Sequence, residues 1–389
     1  MKIVYISSST IPSRAANSIH VMKMCQAFAK NGHEVVLLAP DIKAGIEPDV
    51  KDLYVYYGVD KCFQIIKLPF LNFKGGNFLY GIWAAVKARM LSPDLVFGRN
   101  ITGCFFSAQM NMQTAFESHT PNESSSRLIT KFKSWMFQAM IGKKNFKLLV
   151  VITDSLKQHY IDRHSSLENK ITVAPDGADP VTELLVPAKL NQEPDRLQVG
   201  YVGHLFNGRG VEIVIAMALN CHWADFHLVG GMPKDIAYWR EETRSVQNIL
   251  FHGFVAPVEA ERLRIAFDIL LAPYQNSVAV MGGTGDTSRW MSPLKIFEYM
   301  AAKKPIICSD LPVLREVLNH NYNALLCKPD NVEEWVCALV KLRDEKSLKH
   351  RLAVQAHQDF LEKYTWKSRA KKILEEVTIP SSHNFLNIN

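Results

Sequence analysis

The chain opens on a short apolar run, Lys2-Ile3-Val4-Tyr5-Ile6, that reads as a buried strand. A polar loop follows, and then Val21, Met22, Cys25, Phe28 and Ala29 recur at the spacing of one helix face, closed by Gly32. His33 to Ala39 is again a strand-like apolar run, so strand, helix and strand fill the first forty residues, as in a parallel sheet crossed by helices. Leu95-Val96-Phe97 and Leu148 to Ile152 extend the series.

The pattern restarts at Leu197 to Gly203 and passes through a loop into a helix with Val211, Val214, Ile215 and Ala218 on one face. Phe226 to Gly231 and Ile269 to Pro273 supply further strands. Between the halves, Asp179 to Arg196 is rich in proline and charge and lacks periodicity, as a connection does. The reading is α/β with two doubly wound, Rossmann-like domains, 1–184 and 185–365. At 389 residues the chain exceeds what one core organises. Such sheets bind ligands beyond the carboxyl ends of their strands, so two of them facing each other predict an active site in an interdomain cleft.

Composition changes this picture little. The chain is 48% hydrophobic and 21% charged, ordinary for a globular protein, and its seven scattered cysteines form no C-x-x-C pair, which argues against zinc and a disulfide framework. The first apolar run is too short for a signal peptide and no later one approaches the ~20 residues of a membrane span, so a cytoplasmic location is expected. The formal charge of +7 suits an anionic partner, but the basic residues are dispersed and no nucleic-acid motif is present, so nucleic acid is not expected. No G-x-G-x-x-G follows the first strand, which argues against a nicotinamide dehydrogenase.

The most informative stretch is Ser292-Pro293-Leu294-Lys295-Ile296-Phe297-Glu298-Tyr299-Met300-Ala301-Ala302. Serine then proline predicts a helix start, with Ser292 as N-cap and Pro293 at the first helical position. The amides of Leu294 and Lys295 would then offer an anion site, with Glu298 one turn deeper able to accept hydrogen bonds from a ribose diol. A solvated surface Lys/Glu pair is the competing reading. Three more elements carry weak signals. Met281-Gly282-Gly283-Thr284-Gly285-Asp286 is a glycine-rich loop upstream, and Gly203-His204-Leu205-Phe206-Asn207-Gly208-Arg209-Gly210 is a strand-to-helix turn that places Arg209 where a phosphate could sit. Phe116 to Pro121 places His119 on a loop at a strand end, where a structural histidine is the commoner outcome. Asn17, in the first polar loop, completes the donor-binding candidates.

Ser292 to Ala302 with Lys304-Pro305-Ile306-Ile307 resembles the nucleotide-sugar-binding helix of glycosyltransferase family 4, retaining enzymes of the GT-B fold. The resemblance extends to Asn31-Gly32-His33-Glu34-Val35, to Val173 to Asp179, and to Gly200 to Gly203. It implies an acceptor-binding first domain, a nucleotide-sugar-binding second domain, and a final helix, about 366–380, that packs back on the first. It also implies that Glu298 binds the donor ribose, that the Leu294 and Lys295 amides bind the distal phosphate, that Arg209 takes the phosphate-binding lysine position, and that His119 lies beside the transferred sugar. Phe251 to Val255 resembles the base-contacting loop, with Phe254 backbone atoms at the base edge. Two positions depart from the family: Trp290 stands where a first glutamate is usual, with Asp286 or Ser292 as the stand-in, and His204 stands where arginine is usual.

There is no D-x-D triplet, so transfer without metal or other cofactor is expected, with Arg209, Lys295 and helix amides meeting the charge on the leaving diphosphate. The resemblance implies retention by front-face attack. The expected partners are a UDP- or GDP-hexose donor and a glycan or lipid-linked acceptor of surface polysaccharide or glycoconjugate synthesis. Arg127 to Phe137 with Lys143, Lys144 and Lys147 mixes basic and aromatic residues, as a peripheral membrane helix does or as a packed helix with solvated lysines does. A nucleotide-sugar 2-epimerase of the same architecture and a noncatalytic nucleotide or glycan binder are the alternatives.

Overall fold

The computed structural model describes residues 1–73, 75–121, 127–190, 196–279 and 286–378. The chain forms two compact units, one of Met1–Pro175 with Trp366 onward and one of Asp176–Thr365.

In the first unit β1 (Lys2–Ile6), α1 (Ala16–Lys30), β2 (Glu34–Pro40), α2 (Leu53–Tyr57) and β3 (Gln64–Leu68) come first. They are followed by α3 (Gly76–Met90), β4 (Leu95–Gly98), α4 (Ile101–Gln109) and β5 (Thr114–Ser118). Then come α5 (Arg127–Ile141), β6 (Phe146–Val151), α6 (Asp154–Ile161) and β7 (Ile171–Val173). The seven strands are all parallel in the order β3-β2-β1-β4-β5-β6-β7. Alternation along β1 divides the core: Val4 and Ile6 pack with Tyr80, Ala84 and Ala88 of α3, while the ring of Tyr5 meets Phe97, which in turn meets Phe28 of α1. Both faces of the sheet are covered, which is why its strands read as unbroken apolar runs.

The second unit contains β8 (Leu197–Val202), α7 (Val211–Asn220), β9 (Ala224–Val229), α8 (Pro233–Glu242), β10 (Ile249–Gly253) and α9 (Pro257–Ala266). It continues with β11 (Ile269–Ala272), α10 (Leu294–Ala301), β12 (Ile306–Ser309), β13 (Leu325–Cys327), α11 (Val332–Asp344) and α12 (Lys346–Asp359). Its six parallel strands run β10-β9-β8-β11-β12-β13. Leu270 and Ala272 face a core with Ile296, Phe297 and Met300 of α10, and Ile269 and Leu271 face one with Trp335 and Leu339 of α11. Each such large apolar side chain contributes about 1.5–3 kcal/mol on burial.

The expected boundary at 184/185 is corrected to Pro175/Asp176. Residues past 175 already belong to the second unit: the Ala178 amide donates to the Tyr364 carbonyl and Val181 packs against the core of α10. The proline and charge that signalled a linker lie within this docked segment. The last helix, α13 (Trp366–Thr378), returns to the first unit and packs on α1, where Asn31 Nδ2 donates to the Lys367 carbonyl.

Candidate active site

In each sheet the strand order reverses beside the first strand of the unit, between β1 and β4 and between β8 and β11, and ligand crevices open at such switch points. The candidate residues of the second unit converge on the second of these. Gly203 follows β8, Tyr274 follows β11, and Lys295 lies in the first turn of α10. The Lys295 ammonium sits 3.8 Å from the centroid of Tyr201 and 5.0 Å from that of Tyr274, and it has no hydrogen-bond partner among the described residues. Lys295 is 8% exposed. Burial, and next the Arg209 charge, push its pKa well below the ordinary lysine value.

Local sequence builds this cluster. A Cβ on Gly203 would lie 2.8 Å from Lys295 Nζ, so the missing side chain gives the ammonium its space. Gly210, at φ +77°, starts α7 so close to β11 that a Cβ would meet the Pro273 carbonyl oxygen at 1.7 Å. Arg209, held in that turn, stacks at 4.7 Å over Phe206 and 5.5 Å over Tyr274, and its Nε is buried without a partner among the described residues. His204 accepts a hydrogen bond from the Tyr201 hydroxyl through its carbonyl and packs its ring on Phe206.

The helix start differs from expectation. Pro293 is the N-cap and α10 begins at Leu294, with no side-chain cap. The Ser292 hydroxyl is turned inward instead and accepts from the Asp176 amide at 2.9 Å, because the chain entering the unit leaves that buried donor to satisfy. Among the described residues the first-turn amides of Leu294 and Lys295 therefore remain uncapped beside the Lys295 ammonium.

Glu298 does not pair with Lys295. Its carboxylate holds Arg264 of α9 at 3.2 Å, a partner 34 residues away that no local motif announces. The proposed stand-ins for the missing glutamate are both engaged within the fold: Ser292 as described, and Asp286 with the Val278 and Ser288 amides and the Ser288 hydroxyl. Burial opposes ionisation of Asp286, but these donors together hold its pKa below the ordinary value. Trp290 is half-buried, with Arg289 5.2 Å over its ring. The rest of the glycine-rich loop, 281–285, lies outside the described residues. The segment expected as a loop at Phe251 to Val255 is strand β10 as far as Gly253, and exposed Phe254 follows it. The Gly230 amide donates to the Gly253 carbonyl, and a Cβ on Gly230 would meet the Gly203 carbonyl oxygen at 2.4 Å, so Phe254 stands on the same rim as Gly203.

In the first unit His119 follows β5, as expected, but it is not alone. Its Nε2 lies 2.8 Å from Glu117 Oε1, which accepts from Arg369 Nη2 at 2.6 Å and has His20 Nε2 3.0 Å away. Glu117 is fully buried, and although burial works against its charge, Arg369 and then His20 outweigh it and hold the pKa well below the usual carboxylate range. The histidine pair and Glu117 place three metal-capable atoms within 4.8 Å of one another, but a divalent cation there would share its carboxylate oxygen with the Arg369 guanidinium. Sequence spacing missed this network because Arg369 comes from α13. Asn17 is exposed in the first turn of α1.

A family model described as Glycosyltransferase Family 4 matches residues 18–181, and one described as Glycosyl transferases group 1 matches residues 196–345. An uncharacterised glycosyltransferase of Methanocaldococcus jannaschii is 23% identical over 241 residues, which span 58% of this chain and 58% of that protein. A probable sucrose-phosphate synthase of Thermosipho melanesiensis is 23% identical over 408 residues, 95% of this chain and 93% of that protein. The solved structure of Anabaena HepE in complex with UDP and glucose matches with a TM-score of 0.72 at 14% identity, covering 96% of this chain and 98% of that one, a likeness of fold. With one model matched in each Rossmann-like unit and the strand order of both in place, the chain belongs to the group 1 glycosyltransferases of family 4 and has the GT-B fold.

Proposed function

We propose that this glycosyltransferase moves a hexose-type sugar from a UDP- or GDP-sugar to a glycan or lipid-linked acceptor, with retention and without a metal ion. The observation that carries the reading is Lys295, a buried ammonium without a partner among the described residues, set beside Arg209 and the uncapped first turn of α10 at a strand-order switch point. A buried cation is costly unless an anion meets it, and a nucleotide diphosphate brings two charged phosphates to that place. As the bond to the sugar breaks, charge grows on the departing phosphate, where Lys295, Arg209 and the helix amides stabilise it. Glu298, oriented by Arg264, accepts from the ribose hydroxyls. Phe254 on the rim meets the base through its backbone, and His119 and Asn17 are the first unit's own candidates for binding a sugar. The complex of HepE with UDP and glucose supports a uridine donor.

The acceptor belongs to surface polysaccharide or glycoconjugate synthesis. A soluble sugar phosphate is a second reading, favoured by the match to a probable sucrose-phosphate synthase along 95% of this chain. The test incubates the protein with UDP-, GDP- and ADP-sugars, without added metal, and follows nucleotide release. Release from one donor that Glu298→Ala loses supports the reading. Dependence on an added divalent ion, or an inverted product with the acceptor, overturns the corresponding part.

A further inference from the structure

Helix α5 carries two apolar stripes, and the protein core uses only one. Met136, Phe137, Met140 and Ile141 are buried. A second stripe, Leu128, Phe132, Trp135 and Ala139, follows the same i, i+4, i+7 spacing on the accessible side, and Leu128, Phe132 and Trp135 are 80%, 46% and 54% exposed. Phe132, Trp135 and Ala139 of this stripe form one wall of a groove of about 630 Å³ between α3, α4 and α5. Phe78, Phe105 and Phe106 line the opposite side and Lys143 its end. The rings form a connected aromatic floor: Phe132 stacks on Trp135 at 5.7 Å, Trp135 meets Phe105 at 5.4 Å, and Phe132 meets Phe78 at 5.7 Å. Beyond the groove α3 also exposes Trp83, Val86 and Met90.

The charge around this apolar face has one sign. Between Arg127 and Lys147 the chain carries Arg127, Lys131, Lys133, Lys143, Lys144 and Lys147 and no Asp or Glu. Helix α4 has no charged residue, and α3 has only Lys87 and Arg89. Two copies of such a face would oppose lysine to lysine, so a second copy of this chain is a poor cover. A surface that offers apolar depth beneath a plane of negative charge complements it.

We propose that the α3–α4–α5 face docks this protein on an anionic lipid bilayer, with Phe132 and Trp135 entering the acyl region, the groove taking a lipid chain, and Lys131, Lys143 and Lys144 meeting the headgroups. The proposal goes beyond the transferase reading and uses none of its residues. Donor hydrolysis by the variants below stays at the wild-type rate, which separates the failure of one from the failure of the other.

The test is co-sedimentation of the full chain with vesicles of phosphatidylcholine alone or mixed equally with phosphatidylglycerol, beside Phe132→Ser/Trp135→Ser and Lys131→Glu/Lys143→Glu/Lys144→Glu proteins that retain the wild-type circular dichroism. Binding to the anionic vesicles is expected, weakened at least about fivefold for each lysine reversed to glutamate and further by raised salt. A brominated acyl chain should quench tryptophan emission in wild type, and Trp135→Phe, which leaves Trp83 exposed on α3, should lose part of that quenching. Absence of binding at low salt overturns the proposal, as does equal binding by the Phe132/Trp135 variant. Light scattering that shows a dimer abolished by those substitutions, without vesicle binding, assigns the face to a second copy instead.

Discussion

Lys295 is the residue at which the protein bears a burial cost, the one that the proposed diphosphate would relieve. Its pKa in the folded chain lies below the ordinary 10.5, so between those values the unfolded chain binds more protons and stability rises with pH. Lys295→Met removes the buried charge while keeping the volume. The variant is expected to melt higher than wild type near pH 7, to lose that advantage as pH approaches 10, and to release nucleotide about 10²–10³-fold more slowly. Melting curves across pH and the donor assay check both. Gly203→Ala addresses the same ammonium from the side. Gly203 sits at φ +155°, so the added Cβ strains the backbone as well as crowding the ammonium, and both the melting temperature and the nucleotide affinity, read by calorimetry, should fall.

At the scale of elements, α13 completes the first unit by supplying Arg369 to the buried Glu117. Removing the guanidinium leaves a carboxylate buried between two imidazoles. Arg369→Met should therefore cost about 3–5 kcal/mol in denaturant unfolding, and Glu117→Gln combined with it should restore much of the loss. The Glu117 pKa is lowered in the folded chain, so its contribution is fully present above the unfolded value near 4.5 and is lost as pH falls through the folded one. Acid unfolding should accordingly be shallower in Glu117→Gln than in wild type.

Over the whole molecule, the apolar runs of β1, β2, β8, β9 and β11 were legible because strands buried on both faces leave no polar alternation to confuse the reading. The half-exposed edge strand β10 and the three-residue β7 and β13 were not, since short or partly wet strands lack that signature. The positions of Lys295, Arg209 and Glu298 followed from local motifs, whereas Arg264 and Arg369 did not, because each reaches its carboxylate across the fold. Ser292 misled for the same reason: its hydroxyl answers a distant amide rather than the helix it precedes. A chain ended at Thr365 should lose the calorimetric transition of the first unit, since it lacks all of α13. The route of the chain also sets a timetable for its making. Glu117 is synthesised 252 residues ahead of Arg369, roughly 13–50 s at ribosomal rates of about 5–20 residues per second. Through that interval the nascent first unit waits without its final helix while the whole second unit emerges, so the half that begins the polypeptide is the half that finishes folding last.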